Sequence, residues 1–248
     1  MKRNLPLVFL NVNFIFVMQK CFTILRRKIL YFFTGKDAFE IAKTLNSFNP
    51  NLGATYTPVY GNEFLPDNAR EAFIAGNFHN VSVLIGNNRD EGSVFLTTLF
   101  PEVFGFFGKN LPELNTSAAE KLLKDIFKDI LKDIPGTDLI TQTILEKLSA
   151  DDYRKNLKII YDFLGDFTLV CPDVYLAESF SRYGKDAYFY FFKHRPSTTP
   201  WAEWMGVAHY EEVQFVFGSP LKENKYSKEE IELSKLMMKI WSNFAKYG

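Results

Sequence analysis

His209 lies in the stretch "WMGVAHYEE", after two tryptophans, Trp201 and Trp204, and before two acids, Glu211 and Glu212. It is one of three histidines in 248 residues. An imidazole titrates near neutral pH, so a loop histidine that meets a carboxylate can act as a general base. Acyl transfer uses such a pair. The imidazole takes the proton of a serine hydroxyl, while the carboxylate sets the tautomer and stabilises the imidazolium. The candidate carboxylate is in "VLIGNNRDEGSVF", where Asp90 and Glu91 follow a short apolar run. In open α/β sheets, functional groups gather beyond the carboxyl ends of strands, which nominates Glu91. Position alone favours a plainer role, in which Asp90 or Glu91 suits the N-terminus of the next helix. His79, in a polar turn, and His194, beside Arg195, read as structural or solvated.

A serine nucleophile does not complete the set within this chain. No G-x-S-x-G occurs, and neither "EGSVF" nor "FGSPL" places its serine between a strand and a helix. No G-x-G-x-x-G, P-loop or H-E-x-x-H occurs either. Cys21 and Cys171 are far apart and form no C-x-x-C pair. The formal net charge is zero, which argues against nucleic acid as a partner. Hydrophobic residues make up 47% and charged residues 23%, a globular balance. The 26 phenylalanines imply an aromatic-rich core or cleft.

Several elements are needed to bring residues 91 and 209 together. "VSVLIG" and "DAYFYFF" read as short buried strands, the first ending at its glycine. "KDAFEIAKTL", "ADDYRKNLKIIYDFLGDF" and "CPDVYLAESFSRYG" read as helices, with Pro172 tolerable only near the start of the last. Ser117 and Glu120 have capping-box spacing before a helix whose stripe is Leu122, Leu123, Ile126, Phe127, Ile130 and Leu131. Ser227 and Glu230 form a second box before a helix that aligns Leu233, Leu236, Met237, Ile240, Trp241 and Phe244. "FNPNLGATYTPVYGNEFLPDN" should be an extended loop. Two strands separated by helices imply an α/β fold with parallel strands, and a doubly wound sheet of two strands would be incomplete. Residues 1–34 stand apart. Lys2 and Arg3 precede an apolar run that is signal-like but interrupted by Asn11 and Asn13, and a non-native start fits as well.

The blocks "NRDEGSVFL", "YFFKHRPSTTPWAEWMGVAHYEEVQFVFGSPL" and "LMMKIWSNFAKYG", with "TPVYGNEFLPDN" before them, resemble the type-B carboxylesterases, most closely the cholinesterases. The resemblance runs from about Gly35 to Gly248. It implies a partial α/β-hydrolase fold, the C-terminal half with its central sheet incomplete. It also implies that Glu91 is the triad acid and His209 the triad base, 118 residues apart, close to the separation in the family. The serine elbow, the oxyanion hole and the choline-stacking tryptophan would then belong to an N-terminal half absent from this sequence. Cys171 matches a family cysteine whose partner lies beyond this chain, so it should be unpaired. Trp201 and Trp204 match positions beside the histidine, where loop packing and substrate contact are equally good readings.

The sequence also departs from the pattern. Cholinesterases have glycine and tyrosine directly after the histidine, where this chain has Tyr210 and Glu211. The choline-binding aromatic three residues after the acid is Val94 here, although Phe95 remains. The acyl-pocket aromatics map near Leu52 and Ala54, which are smaller and would admit larger acyl groups. Fewer aromatics weaken cation–π recognition of choline. The resemblance implies a carboxylic ester hydrolase acting on a small ester, with choline esters as one class and no cofactor. It implies a secreted or cell-surface protein, and partners that include the missing half or a second copy. A non-catalytic, cholinesterase-like adhesion or binding domain is the alternative. A truncated sheet would leave an open edge and exposed apolar faces.

Overall fold

A computed structural model describes residues 37, 39, 58–129 and 136–248. In chain order the helices are α1 (Ala69–Ala75), α2 (Ser93–Leu99), α3 (Pro101–Phe104), α4 (Thr116–Asp129), α5 (Thr137–Leu145), α6 (Tyr153–Gly165), α7 (Cys171–Arg182), α8 (Val213–Val216) and α9 (Lys228–Tyr247). The strands are β1 (Val83–Asn88) and β2 (Ala187–Phe192). The expected helix at "KDAFEIAKTL" and the first part of the expected loop before residue 58 lie almost wholly outside the described residues. From residue 58 to Asn68 the chain has neither helix nor strand, as its proline and glycine content predicts.

The chain divides into two units. The described part of one comprises residues 37, 39, 116–129 and 136–148, where α4 packs on α5. In α4, Leu122, Leu123, Ile126 and Phe127 are buried, as the stripe predicts. Ile130 and Leu131 lie outside the described residues. The helix begins at Thr116, which puts Ser117 inside its first turn and not at the expected cap.

The other unit comprises residues 58–115 and 149–248 and holds the sheet. β1 and β2 pair in parallel, with Val83 opposite Ala187 and Asn88 opposite Phe192. Parallel pairing needs a crossover between the strands, here supplied by helices. β1 runs to Asn88, two residues beyond the glycine where it was expected to end. Its last two residues are the buried ones, because they enter the hydrogen-bonded end of the sheet described below.

α6 and α7 are not separated by a loop. Asp166–Val170 is a π-helical turn that joins them, and the Cys171 N–H reaches back to the Asp166 carbonyl. Pro172 explains the wide turn. Its ring would strike the carbonyl four residues back in a regular α-helix, and it has no N–H to offer.

The core behind β2 contains Phe192, Val207, Phe215 and Met237, with Tyr190, Leu233 and Trp241 packed on it. Complete burial of Phe215 contributes roughly 2–3 kcal/mol. Even residues of β2 face α9: Tyr190 meets Trp241 edge-on at 5.0 Å, and Tyr188 meets Phe244 at 5.9 Å. The expectation of a buried second strand fails on both faces: Tyr188, Phe189 and Phe191 are 49%, 44% and 55% exposed, and only Phe192 is buried. The α9 stripe is likewise only partly covered. Met237 is buried, but Leu236 and Ile240 are exposed, because β2 and the 205–215 segment cover only one side of the helix. Among the described residues, strand and helix thus present open apolar surface.

The second capping box is present in full. Ser227 accepts from the Glu230 N–H, and the Glu230 carboxylate accepts from the Ser227 N–H at 2.8 Å.

Candidate active site

β1 ends in Asn87 and Asn88, and the turn Arg89–Gly92 follows before α2. Gly92 allows this turn to press against the α6 helix. A Cβ there would lie 1.7 Å from the Tyr161 carbonyl oxygen, so no larger residue fits. The close approach buries Glu91, which is 6% exposed. One Glu91 oxygen accepts the Asn88 N–H at 2.7 Å. The other lies 2.6 Å from Nδ1 of His209. The two expected residues therefore meet, across 118 positions of sequence.

The histidine reaches this position on a long loop after β2. Arg195 braces the loop by donating to the Gly206 carbonyl and, at 2.7 Å, to the Trp201 carbonyl. Glu230 at the start of α9 braces its first part, accepting from the Ser197 N–H at 2.7 Å and the Ser197 hydroxyl at 2.6 Å, with His194 Nε2 at 3.1 Å. His194 is thus a loop-fastening residue, in line with its structural reading, and His79 is exposed. Asp90 fastens the other end. Its N–H donates to the Val207 carbonyl, and its carboxylate accepts from the Val207 N–H. Gly206 is required beside it, because its φ is +63° and a Cβ would lie 2.0 Å from the Asp90 carboxylate.

The His209 side chain is 43% exposed. Its hydrogen bond to Glu91 raises its pKa above the usual imidazole value. Burial opposes this, and the negative charges of Glu91, Glu212 and Asp173 assist. With Nδ1–H donated to the carboxylate, Nε2 keeps its lone pair, the tautomer a general base requires. Among the described residues, none hydrogen-bonds Nε2. Phe95 lies nearly parallel to the imidazole, with centroids 6.4 Å apart and planes inclined by 24°. Val94 is half-buried on the first turn of α2, next to Phe95.

The two tryptophans pack on the segment after α3. Trp201 meets Phe107 edge-on at 5.0 Å. Trp204 donates its indole N–H to the Gly108 carbonyl at 2.7 Å and packs against Phe104. Loop packing accounts for these contacts. Leu52 and Ala54 lie outside the described residues. Cys171 is exposed and free. Among the described residues, no cluster of histidine, cysteine or acid side chains could hold a metal ion.

Tyr210, directly after His209, has φ +77° and is 68% exposed. This left-handed conformation suits glycine and strains other residues, which gives a physical reason for the glycine expected there. Glu211 follows, buried, and its burial raises its pKa.

Sequence reasoning missed the polar residues around the pair. Asn88 donates to the Ala208 carbonyl at 2.8 Å and to Glu212 at 2.6 Å, and Asn87 donates to Asp173 at 2.7 Å. The signal was the run "NNRDE" at the mouth of an apolar strand, where buried polar groups must be paired.

A profile of the carboxylesterase family matches residues 17–248. The chain is 36% identical over 203 residues to acetylcholinesterase 1 of Caenorhabditis elegans, covering 78% of this chain and 32% of that protein. It is 34% identical over 199 residues to the acetylcholinesterase of Bungarus fasciatus, covering 78% of this chain and 31% of that one. It is 31% identical over 218 residues to the cholinesterase of Mus musculus, covering 86% and 35%. The chain thus spans about a third of the length of these relatives. A helix-rich unit with a small parallel sheet is compatible with part of an α/β-hydrolase fold. This chain belongs to the carboxylesterase family, on its cholinesterase-like side.

Proposed function

We propose that this chain supplies the acid and the base of a serine carboxylic ester hydrolase of the cholinesterase or carboxylesterase type. The observation that carries this reading is the 2.6 Å contact between His209 Nδ1 and a Glu91 oxygen, with Glu91 buried. In the proposed reaction His209 Nε2 takes the proton of a serine hydroxyl as that oxygen attacks the ester carbonyl. The imidazolium formed is stabilised by Glu91 and then protonates the leaving alcohol. Water hydrolyses the acyl-serine in the same way. No metal or cofactor takes part.

The serine and its oxyanion donors are not among these 248 residues. In this reading the chain is the C-terminal half of the catalytic domain. The relatives named above are called cholinesterases, which makes choline esters one substrate class for the whole protein. Leu52 and Ala54, by their match to the family's acyl-pocket positions, favour larger acyl groups, and Val94, in place of the choline-binding aromatic, weakens recognition of choline. Phe95 remains as the aromatic beside His209, and Trp201 and Trp204 shape the adjoining wall. The remaining half, or a second copy of the chain, would cover Phe189 and Phe191. A secreted or cell-surface location goes with this family reading. Asn80 and Asn115, the acceptor residues of two N-x-S/T motifs, are exposed. Among the described residues, no helix is long and apolar enough to cross a membrane.

A second reading, a non-catalytic adhesion or binding domain, is favoured by the strained Tyr210 beside the imidazole. The two readings separate on the longer transcript. A G-x-S-x-G segment upstream decides for the esterase, and a replaced serine for the binding domain. The purified 248-residue chain should show no triad-dependent hydrolysis of p-nitrophenyl acetate, and so no burst that a serine-directed inhibitor removes. An inhibitor-sensitive burst would overturn the division of the triad between two parts of the protein.

A further inference from the structure

Three carboxylates act on the His209 imidazole: Glu91 from the turn after β1, Glu212 from the N-cap of α8, and Asp173 from the first turn of α7. A base needs one of them on Nδ1 and the others kept away, because a second carboxylate would draw the ring out of line. β1 ends in two adjacent asparagines, and a strand sends adjacent side chains to opposite faces. Asn87 accordingly reaches Asp173 at 2.7 Å, and Asn88 reaches Glu212 at 2.6 Å. Both asparagines are almost fully buried, and the Oδ1 of each has no hydrogen-bond partner among the described residues. The amide N–H groups, not the oxygens, therefore fix how these side chains are turned.

Asn88 does more than its neighbour. Its backbone N–H holds the Glu91 oxygen that is not on His209. Its side-chain amide also donates to the carbonyl of Ala208, the residue before the histidine. One residue thus touches Glu91, the His209 loop and the competing carboxylate. We propose that Asn88 is a positioning residue, whose amide occupies Glu212 and leaves the imidazole to Glu91 alone. The proposal rests on the reading of Glu91 and His209 as acid and base.

The test is a histidine-ring NMR titration of the full chain, with His79 and His194 as internal references. In the wild-type background Glu91→Gln should lower the His209 midpoint by about one pH unit or more, since the asparagine amides hold Glu212 and Asp173. An unchanged midpoint there would sink the acid–base reading itself, whatever Asn88 does. Asn88→Leu keeps the volume and removes both side-chain donors. It should raise the His209 midpoint as Glu212 is released, and Glu91→Gln added to it should lower the midpoint by less than half as much as in wild type. An equal effect of Glu91→Gln in both backgrounds would overturn the role of Asn88. Asn88→Ala, read in the same way, serves if the leucine variant does not fold. Loss of the fold in both variants would also overturn the proposal, by making the residue a determinant of the fold.

Discussion

Asp90 and Val207 hold each other by two reciprocal hydrogen bonds. The Asp90 N–H donates to the Val207 carbonyl at 3.0 Å, and the Val207 N–H donates to the Asp90 carboxylate at 2.8 Å. This clasp joins the turn that carries Glu91 to the loop that carries His209. Arg89 supports the carboxylate at 2.7 Å, and Asp90 is 4% exposed.

Removing the carboxylate leaves the buried Val207 N–H without its partner. Asp90→Ala should therefore destabilise the chain by about 1.5–3 kcal/mol, the range for a hydrogen bond to a charged group. Urea unfolding would read this as a lower midpoint with an unchanged slope. A loss within experimental error of zero would show that the two loops are held by other contacts.

Tyr210 points to a change in the opposite direction. Its φ of +77° costs roughly 1–2 kcal/mol for a residue with a Cβ, while glycine gives back about 0.5–1 kcal/mol through its larger chain entropy. Tyr210→Gly should thus stabilise the chain by about 0.5–1 kcal/mol. The side chain is exposed, so little packing is lost. A fall in thermal midpoint would mean that the ring contact with His209, at 6.4 Å, outweighs the strain.

Glu230 makes the stability of the fold depend on acid. Burial alone would raise its pKa, but hydrogen bonds from Ser197, Ser227 and His194 overcome this and bring it down to about 2 from 4.5. A carboxyl depressed in the folded state contributes stability above its unfolded pKa and loses it as pH falls. The contribution of Glu230 should be complete above about pH 5 and fade between about 4.5 and 2. Glu230→Gln should be less stable than wild type at pH 7, with the gap closing across that window in chemical denaturation. A gap independent of pH would assign the loss to packing.

Much of the scaffold was legible locally. The apolar runs marked both strands, and the chain between them implied the parallel pairing. Ser227 and Glu230 marked the start of α9, because a capping box involves four consecutive residues and no others. Exposure was less legible. Phe189, Phe191, Leu236 and Ile240 have the same apolar character as their buried neighbours, and only the arrangement of strand and helix leaves them uncovered. The Cys171–Arg182 helix was expected to begin on its own. Instead a π turn carries the chain through from α6, since the ring of Pro172 widens the helix without breaking it.

The same division runs through the candidate site. Residue types and order made Glu91 and His209 candidates, and the resemblance to the carboxylesterases selected them over the plainer reading of Glu91 as a helix-start acid. Their 2.6 Å approach, the clasp of Asp90 and the donors of Asn87 and Asn88 are properties of the tertiary structure alone. Hydrogen-bond partners more than eighty residues apart depend on how the strands register and how closely Gly92 and Gly206 let the backbone approach, and no local pattern encodes that distance.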